Sequence, residues 1–252
     1  MNSRVFLVGA GPGDPELLTV KALRVLESAD VVLHDDLVSP KILERASSAA
    51  QILNVGKRCG QKSFSQKEIN QLTISYARDG YMVVRLQSGD PLIFGRAAEE
   101  MAALRAAGVE FEIVPGVTSA LGAAAACQVS LTERGVSSSV IFTTGHRCDG
   151  KGLSIGLGTS SDATIVVYMP TDLALISERL RTAGWENETP CLVVSSASTA
   201  DETSFLTTLV GLPQVPQAHS PKLLIIGAVA RTGMARQFRA IEDESGLVQL
   251  SN

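Results

Sequence analysis

Hydrophobic and polar residues alternate along the first half of the chain in blocks that predict strands separated by helices. Short apolar runs rich in Val, Ile and Leu lie at residues 4–8, 29–33, 51–55, 81–86 and 110–114. Between them, apolar residues recur at helical spacing, as in residues 17–26. Ser65 followed by Glu68 predicts a capping box at the start of a helix that runs to residue 78. Strands that alternate with helices at this spacing predict βαβ units and a largely parallel sheet.

The pattern changes after residue 114. A small-residue helix is predicted at 120–127, and residues 171–182 form the clear helix of the second half. Strands are predicted at residues 139–143, 163–168, 190–194, 204–210 and 222–226. Short polar links between several of them predict a mixed sheet with antiparallel pairs. We therefore divide the chain into two α/β domains, residues 1–114 with a parallel sheet and residues 115–252 with a mixed sheet.

Four loops follow predicted strands of the first domain, at residues 9–15, 34–38, 56–60 and 88–95. The last is the sharpest, because the strand breaks at Ser88-Gly89-Asp90-Pro91 before a helix predicted to begin near Phe94. Each loop by itself could be an ordinary turn, in which Gly supplies a positive φ and Asp caps a helix. The carboxyl ends of parallel strands meet at one edge of a sheet, where ligands bind in α/β proteins. The four loops together therefore favour a pocket at this edge.

The first of these loops, Gly9-Ala10-Gly11-Pro12-Gly13-Asp14, departs from the G-x-G-x-x-G fingerprint of dinucleotide-binding proteins. Its third glycine comes one position early, and Asp14 stands in the place of that glycine. A carboxylate there would repel a pyrophosphate, which binds to bare amide donors at a helix N-terminus. We therefore expect neither NAD nor FAD, whereas an uncharged or zwitterionic ligand remains compatible with the turn.

Charge narrows the class of ligand further. The 252 residues carry 22 Lys and Arg against 26 Asp and Glu, a net charge of −4, which argues against a nucleic-acid partner. Basic residues nonetheless lie beside the proposed loops: Lys57, Arg58, Arg85, Arg96, Arg134 and Arg147. This combination favours a polyanionic small molecule, since the Arg fork binds carboxylates bidentately. Pairing within the protein, such as Arg96 with Glu99 three residues later, explains each of them equally well.

Cysteine and histidine usage argues against a disulfide framework or a metal site. The four cysteines are far apart without a Cys-x-x-Cys pair, and there are only three histidines. The N-terminus lacks the features of a signal peptide, and no apolar run reaches the length of a membrane span. We expect a cytoplasmic protein that binds no metal and no membrane.

Several motifs, in order along nearly the whole chain, closely resemble those of the tetrapyrrole methylases. They include 8–15, Val55-Gly56-Lys57-Arg58, the run 85–96, Pro115-Gly116-Val117-Thr118-Ser119 and Thr144-Gly145-His146. Within this family the chain looks most like the uroporphyrinogen-III C-methyltransferases. The resemblance implies a two-domain fold with S-adenosylmethionine bound between the domains, and it suggests a homodimer.

The resemblance also implies roles for individual residues. Cofactor contacts fall on Pro12, Ser88, Gly89, Asp90, Ile93, Thr118, Ser119, Met169 and Ala197. Asp35 corresponds to the proton acceptor and Lys57 to the proton donor. Arg96, Glu99 and Arg134 correspond to substrate-binding positions, and Arg96 is also expected to be needed for catalysis.

The chain departs from the family pattern at several of these places. His34-Asp35-Asp36 replaces Tyr-Asp-Arg, 87–90 replaces Lys-Gly-Gly-Asp, and 131–134 replaces Leu-Thr-His-Arg. These changes remove groups that are or can become positive near an acid-rich substrate. Ser88 stands where the family has glycine, so a positive φ at that residue would strain the loop.

The function implied by the resemblance is methylation of uroporphyrinogen III at C2 and C7 to give precorrin-2. One alternative is methylation of a later precorrin by the same fold and cofactor. A relative that modifies RNA or a protein is a second alternative, which the acidic charge disfavours. The third is a module that binds the cofactor without catalysis.

Overall fold

The first sheet has five parallel strands in the order β3-β2-β4-β1-β5. A computed structural model describes residues 5–56, 64–145, 162–216, 220–232, 241–242 and 248–250. The strands of this sheet are β1 Val5–Gly9, β2 Val31–His34, β3 Gln51–Asn54, β4 Val83–Gln87 and β5 Phe111–Val114. The parallel sheet predicted for the first half is therefore confirmed.

Helices cover both faces of this sheet because its buried strands are apolar on both sides. They are α1 Val20–Glu27, α2 Pro40–Leu43, α3 Gln66–Arg78 and α4 Ala97–Ala106, with a short 3-10 helix at Pro15–Leu17. Phe6 and Val8 of β1 pack with residues of α1 and α2. Val5 and Leu7 pack into a second cluster with residues of α3 and α4. The predicted capping box of Ser65 and Glu68 is present at the start of α3.

The second sheet has seven strands in the order β11-β12-β9-β8-β10-β7-β6. The strands are β6 Ser139–Thr144, β7 Ala163–Tyr168, β8 Pro190–Ser195, β9 Thr203–Thr208, β10 Lys222–Ile226, β11 Ile241–Glu242 and β12 Val248–Leu250. Strands β6 and β7 pair in parallel, and the other described pairs are antiparallel, so the mixed sheet is confirmed. Three further helices are α5 Ser119–Ala126, α6 Leu173–Thr182 and α7 Val229–Thr232, with a 3-10 helix at Leu212–Gln214. Helix α6 contributes Ile176 and Leu180 to a core with strand residues of this sheet.

The chain forms two compact units, Met1–Ser119 and Ala120–Asn252. The sequence pattern predicts the boundary after residue 114, and the contacts divide the chain after Ser119. Among the described residues, no helix combines the length and the apolar character of a membrane span.

One predicted helix start is wrong, and several short elements, among them β11, β12 and α7, have no counterpart in the sequence prediction. Helix α4 begins at Ala97 and not near Phe94, because Phe94 and Arg96 adopt left-handed φ values of 55° and 59° that interrupt a helix. Strands β11 and β12 and helix α7 have only two to four residues each, too few to show a periodicity.

Candidate functional site

The carboxyl ends of the parallel strands bring the predicted loops to one edge of the first sheet. In the register of the sheet Gly9 lies beside Gln87, and His34 lies beside both Leu86 and Asn54. The loops after β1, β2, β3 and β4 therefore begin at the same level. The third predicted loop, residues 56–60, is described only at Gly56, so Lys57 and Arg58 lie outside the described residues.

The loops after β1, β4 and β5 meet in a junction made of backbone alone. We call Gly9, Gly11, Gly89 and Gly116 the glycine junction. Gly11 and Gly89 exchange two hydrogen bonds, with N···O distances of 3.1 and 2.8 Å. A Cβ on Gly9 would lie 2.5 Å from the Gly116 nitrogen and 2.6 Å from the Gly89 oxygen. Only residues without a side chain allow these three loops to approach so closely.

Asp90 ties the loop after β4 to the loop after β5. Its carboxylate is buried, and Oδ1 accepts a hydrogen bond from the Leu92 amide at 2.7 Å. Oδ2 accepts one from the Gly116 amide at 2.9 Å. Asp90 therefore holds the shape of the predicted cofactor loops through both of its carboxylate oxygens.

The cofactor positions predicted in the first unit lie on these connected loops. Pro12 follows Gly11 and is half-buried, whereas Ile93 donates its amide to the Asp90 carbonyl at 3.2 Å. A Cβ on Gly89 would lie 3.4 Å from Ser119 Oγ and 3.9 Å from Thr118 Cα.

The strain that a positive φ would cause at Ser88 is not present. The left-handed residue of this turn is Gly89, with φ 71°, and Ser88 is not among the positive-φ residues. Glycine adopts this conformation without a steric penalty. The family glycine that Ser88 replaces is therefore not needed here for backbone freedom.

A cavity of about 190 Å³ opens at the same edge of the sheet. Its wall includes Asp35, Phe64, Arg85, Phe94 and Arg96. Two aromatic rings, a carboxylate and an exposed guanidinium thus face one space, which suits a ligand that is both apolar and acidic.

Arg85 is a buried part of this cavity's wall and is fully engaged within the protein. Its Nη2 donates to Asp35 Oδ1 at 2.5 Å, and its Nε donates to Glu100 Oε1 at 3.0 Å. Its Nη1 donates to the carbonyl oxygens of Leu33 at 3.3 Å and Leu86 at 3.2 Å. Of the two interpretations open for this arginine, pairing within the protein is therefore the one observed.

Burial and neighbouring charges shift the pKa values of Arg85 and Glu100 in opposite directions. Burial alone would lower the pKa of Arg85, but the charges of Asp35 and Glu100 outweigh it and raise the pKa above its ordinary value. Burial raises the pKa of Glu100, although Arg85 and Gln66 act against the rise. Arg85 is thus a permanent cation shared by two carboxylates.

Arg96 and Glu99 form the predicted ion pair at the start of α4. Nε and Nη2 of Arg96 donate to the two carboxylate oxygens of Glu99, each at 2.7 Å. Both side chains are about half exposed. Hydrogen bonding from Arg96 lowers the pKa of Glu99, which is therefore ionised at neutral pH.

Two of the residues that depart from the family pattern take part in local hydrogen bonds. His34 Nδ1 lies 2.9 Å from the carbonyl oxygen of Asp35. Asp36 Oδ1 accepts a hydrogen bond from Asn54 Nδ2 at 3.1 Å. Asp36 thereby connects the loop after β2 with the end of β3.

Met169, Ala197 and Arg134 belong to the second unit. Met169 follows β7 and Ala197 follows β8, and both strands run antiparallel to β10, so their carboxyl ends share one edge of the second sheet. Met169 has a left-handed φ of 50°, and Ala197 lies between Ser196 at 51° and Ser198 at 63°. Such non-glycine residues cost about 1–3 kcal/mol each and occur at functional sites. Arg134 is exposed on the turn that joins Glu133 to Ser137.

Glu100 is the functional candidate that the sequence interpretation missed. It is 4% exposed and shares the buried side of α4 with Ala97 and Leu104, three residues before it and four after it. This spacing marks the buried face of a helix, so it could have identified Glu100 as a buried acid that needs a cation. Arg85, inside an apolar strand, is the matching signal.

The loops of the first unit fit a cofactor that carries no pyrophosphate. The cofactor positions predicted there are neutral except for Asp90. The single carboxylate among them, Asp90, favours the positive charge of a sulfonium and would oppose a polyphosphate.

Comparison with known proteins agrees with this arrangement. The family model of the Tetrapyrrole (Corrin/Porphyrin) Methylases matches residues 4–213. The siroheme synthase of Baumannia cicadellinicola subsp. Homalodisca coagulata is 45% identical over 231 residues, which cover 90% of this chain and 50% of that protein. The chain thus spans about half the length of the curated relatives it matches.

Two solved structures share the fold over most of the chain. Uroporphyrin-III C-methyl transferase from Thermus thermophilus, complexed with S-adenyl homocysteine, is 38% identical with a TM-score of 0.79 and covers 91% of this chain and 99% of its own. A cobalt-precorrin-4 methyltransferase of cobalamin biosynthesis is 32% identical with a TM-score of 0.79, covering 91% and 96%. The chain belongs to the tetrapyrrole methylases, a family of enzymes whose methyl donor is S-adenosylmethionine.

Proposed function

We propose that this chain methylates uroporphyrinogen III at C2 and then at C7 to give precorrin-2. The observation that carries the proposal is the cavity at the carboxyl edge of the first sheet, where Asp35 and Arg96 line one space with Phe64 and Phe94. A reduced macrocycle with acetate and propionate groups offers apolar faces to aromatic rings and carboxylates to an arginine. The similarity to the uroporphyrin-III methyltransferase from Thermus thermophilus supports the choice of substrate.

Arg96 binds carboxylates of the substrate in this proposal. Its ion pair with Glu99 is about half exposed, so the guanidinium is accessible to a substrate carboxylate. The Arg fork then helps to hold the macrocycle at the cavity, and full alignment of the methyl donor with the ring can contribute on the order of 7–11 kcal/mol to methyl transfer.

Asp35 accepts the proton that the ring loses once the carbon is methylated. Bound S-adenosylmethionine supplies an electrophilic methyl group on a sulfonium, which an electron-rich pyrrole carbon attacks without a metal. A base in reach of the ring contributes about 10²–10⁴-fold to such a step. Lys57, outside the described residues, stays the predicted proton donor.

The predicted cofactor residues hold the methyl donor in this proposal. In the first unit they are Pro12, Ser88, Gly89, Asp90, Ile93, Thr118 and Ser119, and in the second they are Met169 and Ala197. Arg134 is proposed as a second anchor for substrate carboxylates.

A second candidate function is methylation of a later precorrin. The fold shared with a cobalt-precorrin-4 methyltransferase favours this alternative, since the same scaffold serves a more methylated ring. Competition between uroporphyrinogen III and precorrin substrates distinguishes the two functions.

The test incubates the protein with S-adenosylmethionine and freshly reduced uroporphyrinogen III without oxygen. We expect a product that carries two added methyl groups by mass spectrometry. Methylation of only a precorrin would establish the second candidate, and no methylated product from uroporphyrinogen III would refute the first.

Arg96→Ala tests the substrate anchor. Turnover should be nearly abolished while the affinity for S-adenosylhomocysteine is unchanged, because Arg96 is not among the predicted cofactor contacts. Arg105→Ala is the matched control, since Arg105 lies in the last turn of α4, the helix that Arg96 precedes, and packs over the Phe111 ring at 5.5 Å. Wild-type kinetics of Arg96→Ala would remove Arg96 from the site.

A further inference from the structure

Glu100 is a buried acid that the proposed reaction does not use. Its Oε1 accepts hydrogen bonds from Arg85 Nε and from Gln66 Nε2, both at 3.0 Å. Its Oε2 is buried and has no hydrogen-bond partner within the described part of the chain. An acid in this position needs an explanation, because burying a carboxylate is costly and half of this one is unsatisfied.

Stability is a poor explanation for the group of charges around Glu100. Arg85 and Glu100 are 3% and 4% exposed, so both ions have lost nearly all of their hydration. Buried ion pairs of this kind can often be replaced by apolar residues without loss of stability, since desolvation offsets the attraction. The geometry must therefore account for the cluster in another way.

Glu100 is linked through Arg85 to Asp35, the proposed base. Arg85 connects Glu100 on α4, which accepts from Nε, to Asp35 in the loop after β2, which accepts from Nη2. The carbonyl oxygens of Leu33 and Leu86 fix the plane of the guanidinium between them. Asp35, whose side chain is 32% exposed, is the member of this cluster that combines a carboxylate with a place on the cavity wall.

We propose that Arg85 and Glu100 are positioning residues that hold the Asp35 carboxylate as a proton acceptor toward the cavity. This inference rests on the proposed function. Arg85 fixes the direction of the carboxylate by a hydrogen bond from a planar, anchored donor. Glu100 neutralises part of the positive charge of Arg85, so Asp35 is not the only counter-ion of this cation.

The consequence of losing Glu100 follows from electrostatics. In Glu100→Gln the amide oxygen can still accept the Arg85 hydrogen bond, but the balancing negative charge is gone. Asp35 then becomes the sole counter-ion of a buried cation, so its carboxylate is drawn more strongly toward Arg85 and away from the substrate ring. A slower proton-transfer step should lower kcat without changing the binding of either ligand.

The experiment measures kcat, KM for uroporphyrinogen III and Kd for S-adenosylhomocysteine in four variants. These are Glu100→Gln, Asp35→Ala, the double variant and the control Glu110→Gln, an exposed acid beyond the end of α4. We expect Asp35→Ala to lose about 10²–10⁴-fold in kcat and Glu100→Gln to lose about tenfold, a fraction of the effect of the base itself. KM and Kd should stay within twofold of wild type, and the control should match wild type.

The double variant separates positioning from a structural role. If Glu100 acts through Asp35, then Glu100→Gln causes no further loss once Asp35 is absent, because residues that act as a unit are not additive. Losses that multiply in the double variant, or a Glu100→Gln kcat within twofold of wild type, would overturn the inference. Arg85→Lys is the second variant if Glu100→Gln does not fold, since lysine keeps the positive charge and loses the planar fork. Arg85→Lys should show the same loss of kcat. Wild-type turnover of Arg85→Lys would equally overturn the inference.

The experiment distinguishes failure of the positioning role of Glu100 from failure of the proposed function. Wild-type protein that leaves uroporphyrinogen III unmethylated refutes that function, and with it the role assigned to Asp35. Wild-type activity together with a fully active Asp35→Ala refutes the base, whereas an inactive Asp35→Ala with an unaffected Glu100→Gln refutes only the positioning role.

Discussion

Replacing Gly9 with alanine should destabilise the first unit by about 3 kcal/mol. The new Cβ would lie 2.5 Å from the Gly116 nitrogen and 2.6 Å from both Gly116 Cα and the Gly89 oxygen. Non-bonded heavy atoms prefer separations of about 3.5–4.0 Å, so three contacts are each about 1 Å too short. All three neighbours are backbone atoms and cannot rotate aside, so the strands themselves must shift.

The magnitude combines two effects of that shift. Overpacking of a close-packed site costs about 1–3 kcal/mol. Separation of the loops also weakens the two hydrogen bonds between Gly11 and Gly89, each worth about 1 kcal/mol. About 3 kcal/mol therefore lies near the middle of the combined range, and the same displacement should weaken binding of S-adenosylhomocysteine.

Hydrogen exchange followed by mass spectrometry is the suitable assay. The only tryptophan, Trp185, lies in the second unit and does not report on the first. Amides of β1 and β4 should lose roughly a hundredfold of their protection, since each 1.4 kcal/mol is about a factor of ten.

Gly80→Ala is the control for a glycine that is replaced where no close neighbour is present. Gly80 has a φ of 92°, and a Cβ there would meet nothing within 4 Å. Its replacement should cost about 1–2 kcal/mol through the left-handed backbone alone and leave cofactor affinity unchanged. Protection in Gly9→Ala within threefold of wild type, or equal damage from both replacements, would refute the close-packing argument.

Three further predictions concern single groups. Asp90→Ala should weaken binding of S-adenosylhomocysteine at least tenfold by calorimetry, because the Leu92 and Gly116 amides lose their acceptor; wild-type affinity would count against this. Burial raises the pKa of Glu100 above 4.5. The folded protein therefore binds the carboxyl proton of Glu100 more tightly than the unfolded chain does. The contribution of Glu100 to the free energy of unfolding falls as the pH rises from 4.5 through the raised pKa. In urea unfolding, Glu100→Gln should therefore gain stability relative to wild type across that window and not below it, and a difference independent of pH would contradict the burial argument. Cys127 and Cys191 should resist iodoacetamide at pH 8 in the native protein and react in urea, since burial raises the pKa of Cys127 to about 11 and that of Cys191 further; rapid native labelling would show that the two thiols are accessible.

The sequence pattern was sufficient to predict the layers of the fold. Blocks of Val, Ile and Leu separated by helical periodicity predict a parallel sheet, because such strands are buried on both faces. The capping box at Ser65 and the pair of Arg96 with Glu99 depend only on local spacing, so they could be predicted as well.

Features that depend on three-dimensional neighbours could not be predicted in the same way. The partnership of Arg85 with Glu100 joins residues of β4 and α4, and no rule of spacing selects that partner. The left-handed conformations of Phe94 and Arg96 are likewise absent from the pattern, since neither residue favours them and the surrounding structure imposes them. The sequence therefore places Arg96 on the helix that it in fact precedes.

The strand order β3-β2-β4-β1-β5 also determines when the first unit can assemble as the chain is synthesised. Both sheet partners of β1, residues 83–87 and 111–114, come far later in the chain, whereas β2 and β3 can pair as soon as residue 54 is available. Strand β4 must then insert between β1 and β2, two segments already made. Such non-local pairing raises the contact order, which slows folding and leaves apolar strands exposed for longer. A nascent chain that ends before residue 83 thus has no native place for its N-terminal strand in the described sheet, and chaperone binding to residues 5–9 is expected at that stage.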